Sequence, residues 1–182
     1  MARTLSTQTL KTGQKAPDFN LLGTDGKRYS LEDFKSKTVL IVFMCNHCPF
    51  VKARIGDLTK LQSSFSTDDL QIIGINSNDP SYEGEGYENM VKFSKEHDLN
   101  FPYIFDETQE IAKKYGAVCT PDPFLFNSDF VLVYHGRIND AVEPESIPTT
   151  EIMKHNISTI LNNSTIEKDF DPSIGCSIKW KE

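Results

Sequence analysis

Along the chain, short apolar runs alternate with longer segments whose apolar residues recur every three or four positions. The run "KTVLIVFM" is almost free of polar residues and rich in β-branched ones, which predicts a strand buried on both faces. Directly after it, Val51, Ile55, Leu58, Leu61 and Phe65 form one apolar stripe at helical spacing. "LQIIGIN" predicts a second buried strand, and "YENMVKFSKEH" a helix ending before "FPYIFD". Asp106 with Gln109 reads as a capping box for a helix over "TQEIAKKY", which Gly116 ends. "PFLFN" and "VLVYHG" predict a strand pair around Ser128-Asp129. "TTEIMKHNISTILNN" predicts an amphipathic helix capped by Thr149 or Thr150. Nearer the N-terminus, "LLGTDGKRYSLEDF" reads as two short strands around Asp25-Gly26, with Ser30 capping a helical turn. The closing "SIGCSIKWKE" has no clear pattern.

Strands alternating with helices predict an α/β fold with a parallel core, to which the late hairpin adds an antiparallel edge. The expected architecture is a central mixed sheet flanked by helices, with an N-terminal hairpin and a C-terminal tail over residues 164–182. With 182 residues and 38% hydrophobic content, one domain over 1–182 is the expectation. The formal charge of −7 argues against nucleic acid and anionic membrane surfaces as partners. "MARTLSTQTLKTGQKAPDF" lacks the apolar core of a secretory signal, and the longest apolar run, "VLIVFMC", is too short for a bilayer. A cytoplasmic location is the expectation.

Two of the four cysteines, Cys45 and Cys48, fall where the first buried strand becomes a helix. That is the carboxyl end of a strand, where open α/β sheets place their chemistry. A sulfur there meets unpaired backbone N–H groups and the positive end of the helix dipole, which stabilise a thiolate. On this reading Cys45 attacks disulfides and Cys48, one turn on, resolves the mixed disulfide. Pro49 fits a first helical turn, where no hydrogen bond is sacrificed. The competing readings are inert core thiols and half a zinc site. Zinc commonly takes two close pairs of ligands, and Cys119 and Cys176 are isolated.

"GQKAPDFNLLGTDGKRYSLEDF", "CNHC" and "YGAVCTPDPFLF" together resemble a thioredoxin-fold protein of the redoxin group. That group includes the alkyl hydroperoxide reductase and thiol-specific antioxidant relatives. "CNHCPFVKA" with "GCSIKWK" is similar to a subgroup described as thioredoxin-family proteins or probable thiol-disulfide isomerases. The resemblance covers roughly residues 13–138. It implies a thioredoxin-like fold, a catalytic Cys45–Cys48 pair and an active-site cis-proline. Pro121 aligns best with that proline, with Pro123 as a competitor. It implies that Thr120, Pro121 and Asn46 face substrate, the backbone before the proline pairing with an extended substrate strand. The implied substrates are protein or small-molecule disulfides, served by an unidentified thiol electron donor, with no cofactor and no metal.

The chain also departs from its relatives. A peroxidatic site resembles Pro-x-x-x-Thr-x-x-Cys, whereas Thr38 and Val42 stand at those positions before Cys45. A thiol-dependent peroxidase is therefore the runner-up, and a non-catalytic binding or metal-carrier module the third reading. Thioredoxins carry a buried aspartate where Val39 stands, so the usual proton acceptor for the second sulfur is missing. Glu83, Glu85 and Glu88 are candidates to replace it, but read first as solvated loop charges. His47, directly before Cys48, would add positive charge near a Cys45 thiolate. His97, His135 and His155 read as surface or core-edge residues, and Arg137 as a salt-bridge partner. Cys119 reads either as a rim thiol or as a buried silent one. Cys176 either folds back with the tail to meet the site or simply packs.

Overall fold

The computed structural model describes residues 3–182. In chain order the elements are β1 (Arg3–Leu5), β2 (Asn20–Gly23), β3 (Arg28–Ser30), a 3-10 turn (Leu31–Phe34) and β4 (Thr38–Phe43). Next come α1 (Pro49–Ser63), β5 (Leu70–Asn76), α2 (Tyr87–Glu96), β6 (Tyr103–Phe105) and α3 (Glu110–Tyr115). The chain continues with β7 (Cys119–Thr120), β8 (Asp122–Phe126), β9 (Leu132–Gly136), α4 (Ile152–Leu161), β10 (Phe170–Asp171) and β11 (Ile174–Ser177).

The main sheet runs β10-β9-β8-β4-β5-β6-β2-β3. Its centre is parallel, β4 with β5 and β5 with β6, and β8 joins the other side of β4 antiparallel. Every residue of β4 is buried. The period of two divides that strand between two cores. Leu40, Val42 and Met44 pack with the apolar faces of α1, α2 and α4. Val39, Ile41 and Phe43 pack with α3, the 3-10 turn and Phe19. The sheet is thus covered on both sides, as its nearly continuous apolar strands require.

Four local expectations are corrected. The helix stripe stops short of Phe65, because α1 ends at Ser63. Neither Thr149 nor Thr150 caps α4; Glu151 is its N-cap, and both threonine N–H groups donate to the Asp140 carboxylate. The Asp106–Gln109 pair is not a capping box. Asp106, fully buried, reaches past the helix start to accept from the Ile111 and Ala112 N–H groups (3.3 and 3.0 Å) and the Ser77 hydroxyl (2.8 Å). Replacing Asp106 by alanine leaves these donors buried, so a loss of about 2 kcal/mol is expected, measurable by denaturant unfolding.

The fourth correction concerns the tail, which is not patternless. It supplies β10, parallel to β9, and β11, the middle strand of a small sheet β1-β11-β7. Beyond β11 it is held by Gln109, which donates to the Lys179 carbonyl and accepts from the Lys181 N–H.

Candidate active site

Met44 still bonds the Ile75 carbonyl across the sheet at 2.8 Å, so the chain leaves β4 just before Cys45. Cys48 is extended and is the N-cap of α1, and Pro49 opens the helix. Both cysteines are buried. The Thr120–Pro121 peptide bond is cis, which selects Pro121 over Pro123. Thr120 stands against both sulfurs: its Oγ1 is 3.2 Å from Cys45 Sγ and its carbonyl oxygen 3.3 Å from Cys48 Sγ.

Glu85 corrects the reading of a solvated charge. Glu83 and Glu88 are exposed, but Glu85 is only 3% exposed. Gly84 and Gly86 on either side have positive φ (83° and 85°), backbone that favours glycine, and this turns the intervening side chain inward. Glu85 Oε1 accepts from the N–H of Asn46 (3.1 Å), the N–H of His47 (3.2 Å) and His47 Nδ1 (2.5 Å). Its Oε2 accepts from Asn76 Nδ2 at 2.7 Å. The backbone donors expected to serve a Cys45 thiolate are therefore occupied by a carboxylate.

The electrostatic consequence reverses the expected order of the two thiols. Cys45 is pushed well above the ordinary thiol range, first by burial, then by its hydrogen bond with Cys48 and by the Glu85 charge. Cys48 is pulled below it, chiefly by the hydrogen bond from Cys45, with further help from the Cys176 thiol and the Val51 N–H, against its own burial. Cys48 is the more acidic of the two because its sulfur lies at the helix terminus beside the Cys45 and Cys176 thiols. Cys45 instead faces a carboxylate.

His47 is beside the pair as expected, but its charge, when protonated, is matched by Glu85. Asn46 is turned inward: Nδ2 donates to the Gly84 carbonyl and Oδ1 accepts from the Tyr103 hydroxyl. The Thr120 backbone is already paired, with Cys176 of β11. Cys176 meets the site, its Sγ 2.8 Å from Cys48 Sγ. Cys119 is buried, and burial raises its thiol. Arg137 reaches Asp171 at 3.8 Å, the expected ion pair. A cleft beside Pro121 is lined by Phe50 and Arg54 from the first turns of α1 and by Ile138 and Val142 opposite.

Donor atoms of Cys45, His47 and Glu85 lie within 4.8 Å of one another, close enough to surround a metal ion. Glu85 Oε1 already accepts three hydrogen bonds, so the cluster is built as a hydrogen-bond hub.

Two side chains are more deeply buried than their sequence surroundings imply, Glu85 and His135. Glu85 carried one signal, an acidic residue between two glycines. His135, read as surface or core-edge, is fully buried, with Nε2 2.8 Å from the equally buried Asp122 Oδ1. Nothing in the sequence pattern pairs those two residues.

Residues 12–141 match the AhpC/TSA family. Among curated relatives, the thiol-disulfide oxidoreductase ResA of Bacillus thuringiensis subsp. konkukian is 27% identical over 122 residues, covering 67% of each chain. The thioredoxin-like protein YneN of Bacillus subtilis is 29% identical, covering 68% of this chain and 69% of its own. Among solved structures, an uncharacterized conserved protein of Geobacillus kaustophilus superposes with a TM-score of 0.93 at 39% identity, over 100% of this chain and 97% of its own. The thioredoxin domain of a Bacteroides vulgatus thiol-disulfide oxidoreductase, at 20% identity and a TM-score of 0.67, covers 85% of this chain and all of its own and shares the thioredoxin-like fold.

Proposed function

The chain belongs to the AhpC/TSA family and is a thiol-disulfide oxidoreductase, and we propose that it works by dithiol–disulfide exchange through Cys45 and Cys48. The observation that carries this reading is the pair itself: two buried sulfurs at a strand-to-helix junction, both against Thr120 before a cis-proline. Cys45 attacks one sulfur of a substrate disulfide, and its proton passes to the Cys48 thiolate. A Cys45–substrate bond forms, the substrate S–S bond breaks, and the released sulfur leaves as a thiolate that takes up a proton. Cys48 then attacks Cys45 Sγ, its proton passing to the departing second substrate sulfur. The Cys45–Cys48 disulfide forms and the second substrate sulfur leaves. The substrate is reduced by two electrons and the protein oxidised by two; the reverse sequence oxidises a substrate dithiol. The cleft beside Pro121 is where the substrate approaches, since the Thr120 backbone is occupied by β11.

The test is trapping with Cys48→Ser. Incubated with a model protein disulfide, this variant is expected to accumulate a stable mixed disulfide on Cys45, whereas the wild type accumulates none. An absence of adduct, or an adduct at Cys119 or Cys176, overturns the assignment. Stopped-flow oxidation by hydrogen peroxide separates the peroxidase reading. Slow, unsaturated consumption is expected here, because the threonine and proline of the peroxidatic pattern are replaced.

A further inference from the structure

We infer that Cys176 is a third redox thiol of this site and that the protein has a second disulfide state, Cys48–Cys176. Its formation from the Cys45–Cys48 disulfide rests on the proposed function; the Cys48–Cys176 pair itself rests on geometry alone.

The two sulfurs are 128 positions apart in the chain and 2.8 Å apart in space. A disulfide bond is about 2.05 Å long, so less than about 1 Å of closure joins them. The tail that brings Cys176 there is pinned on both edges. On one side Arg3, Thr4 and Leu5 pair with Cys176, Gly175 and Ile174. On the other, Cys176 pairs with Thr120 and Ser177 with Cys119. Thr120 therefore touches Cys45 through its hydroxyl, Cys48 through its carbonyl and Cys176 through its strand register. Farther on, the tail is locked by Asn78, which accepts from the Lys179 N–H at 2.8 Å, and by Gln109.

Gly175 allows the approach. A Cβ built there would lie 1.9 Å from the Thr120 carbonyl oxygen, a backbone atom that cannot yield. Only glycine lets β11 come close enough to lay the following sulfur on Cys48. All three cysteines belong to the same buried apolar cluster, so exchange among them needs no solvent access.

The step balances within the chain. Cys176 gives up its proton and attacks Cys48 Sγ of the Cys45–Cys48 disulfide. The Cys48–Cys176 bond forms, the Cys45–Cys48 bond breaks, and Cys45 leaves and takes up the proton. No electrons enter or leave. The oxidised protein then carries its disulfide on the tail and presents Cys45 again as a thiol.

The decisive variant is Cys45→Ser with Cys119→Ser, which leaves two thiols. After equilibration with oxidised glutathione and rapid acid quench, most molecules should carry an intramolecular link. In a tryptic digest it joins the peptide of residues 38–52 to that of residues 169–179. Retention of two alkylatable thiols, or a glutathione adduct on Cys48 without the link, overturns the inference. Circular dichroism of the reduced variant confirms that it is folded. Should that variant not fold, wild type quenched during partial oxidation decides. The same inter-peptide link is expected there and lost in Cys176→Ser, and its absence in wild type overturns the inference. Failure of the proposed function reads differently: Cys176→Ser then forms no Cys45–Cys48 disulfide, while the two-thiol variant still links.

Discussion

Glu85→Ala should lower the unfolding free energy by about 3–5 kcal/mol, and Glu85→Gln should make the cysteine pair more oxidising by about 30 mV. The stability loss follows from what the carboxylate satisfies. It accepts from the Asn46 and His47 N–H groups, His47 Nδ1 and Asn76 Nδ2, on residues that are buried or half-buried. A buried donor left unpaired costs about 1–3 kcal/mol, and rearrangement recovers part of the sum. The redox effect follows from charge. Glu85 opposes negative charge on the reduced pair: its carboxylate lies within 4.8 Å of the Cys45 sulfur, and at an effective dielectric of about 20 such repulsion is on the order of 1–3 kcal/mol. Each 1.4 kcal/mol of that repulsion corresponds to about 30 mV for a two-electron couple. Glutamine keeps an acceptor oxygen but removes the charge, so the reduced pair is stabilised and the potential rises. Alkylation of Cys45 should reach its half-maximal rate at lower pH in the glutamine variant. Equilibration with a glutathione redox buffer gives the potential; an unchanged or more negative value would rule out this role for Glu85.

Removing either member of the Asp122–His135 pair should cost about 3–5 kcal/mol, because the survivor is left charged or polar in a sealed core. Both side chains are fully buried on the adjacent strands β8 and β9. His135 is stacked on Phe124, ring centroids 3.9 Å apart and planes within 16°. Replacing both by apolar residues of similar shape, Asp122→Leu with His135→Phe, should cost clearly less than the two single changes added together, with a coupling of up to about 3 kcal/mol. Burial raises the Asp122 carboxyl, and the hydrogen bond with His135 opposes that rise. A carboxyl with a raised folded pKa contributes most to stability below the ordinary carboxylate range and loses that contribution as pH rises through its folded value. The deficit of Asp122→Leu should therefore shrink as pH rises from the acid side. Chemical unfolding of the four proteins at several pH values tests both points. Additive costs would mean that the pair is not coupled.

Much of the architecture was legible because it rests on local pattern. "LQIIGIN" became β5 at its expected ends, since an apolar β-branched run suits a strand covered on both faces. The Asp25-Gly26 turn formed its hairpin, and Gly116 ended α3 in the left-handed conformation. The Cys45–Cys48 pair was legible for the same reason: strand, loop and helix N-terminus are neighbours in the chain. The charge on that pair was not. It depends on a carboxylate 38 positions away from His47, whose burial follows from the loop that carries it.

The tail shows the division most clearly. From the sequence come the strand-to-helix placement of two cysteines, the buried strands, the helix stripes and the proline that follows Thr120. These follow from side-chain periodicity and from the backbone limits of proline and glycine, which act over a few residues. Which groups share the site was decided by tertiary structure. Cys176 reaches Cys48 only because β11 inserts between β1 and β7, pairing Arg3–Leu5 with the tail. Glu85 and His135 are buried only because partners on other elements satisfy them. Burial of a charge or a thiol is a property of everything packed around it, and no short stretch of sequence contains that surrounding.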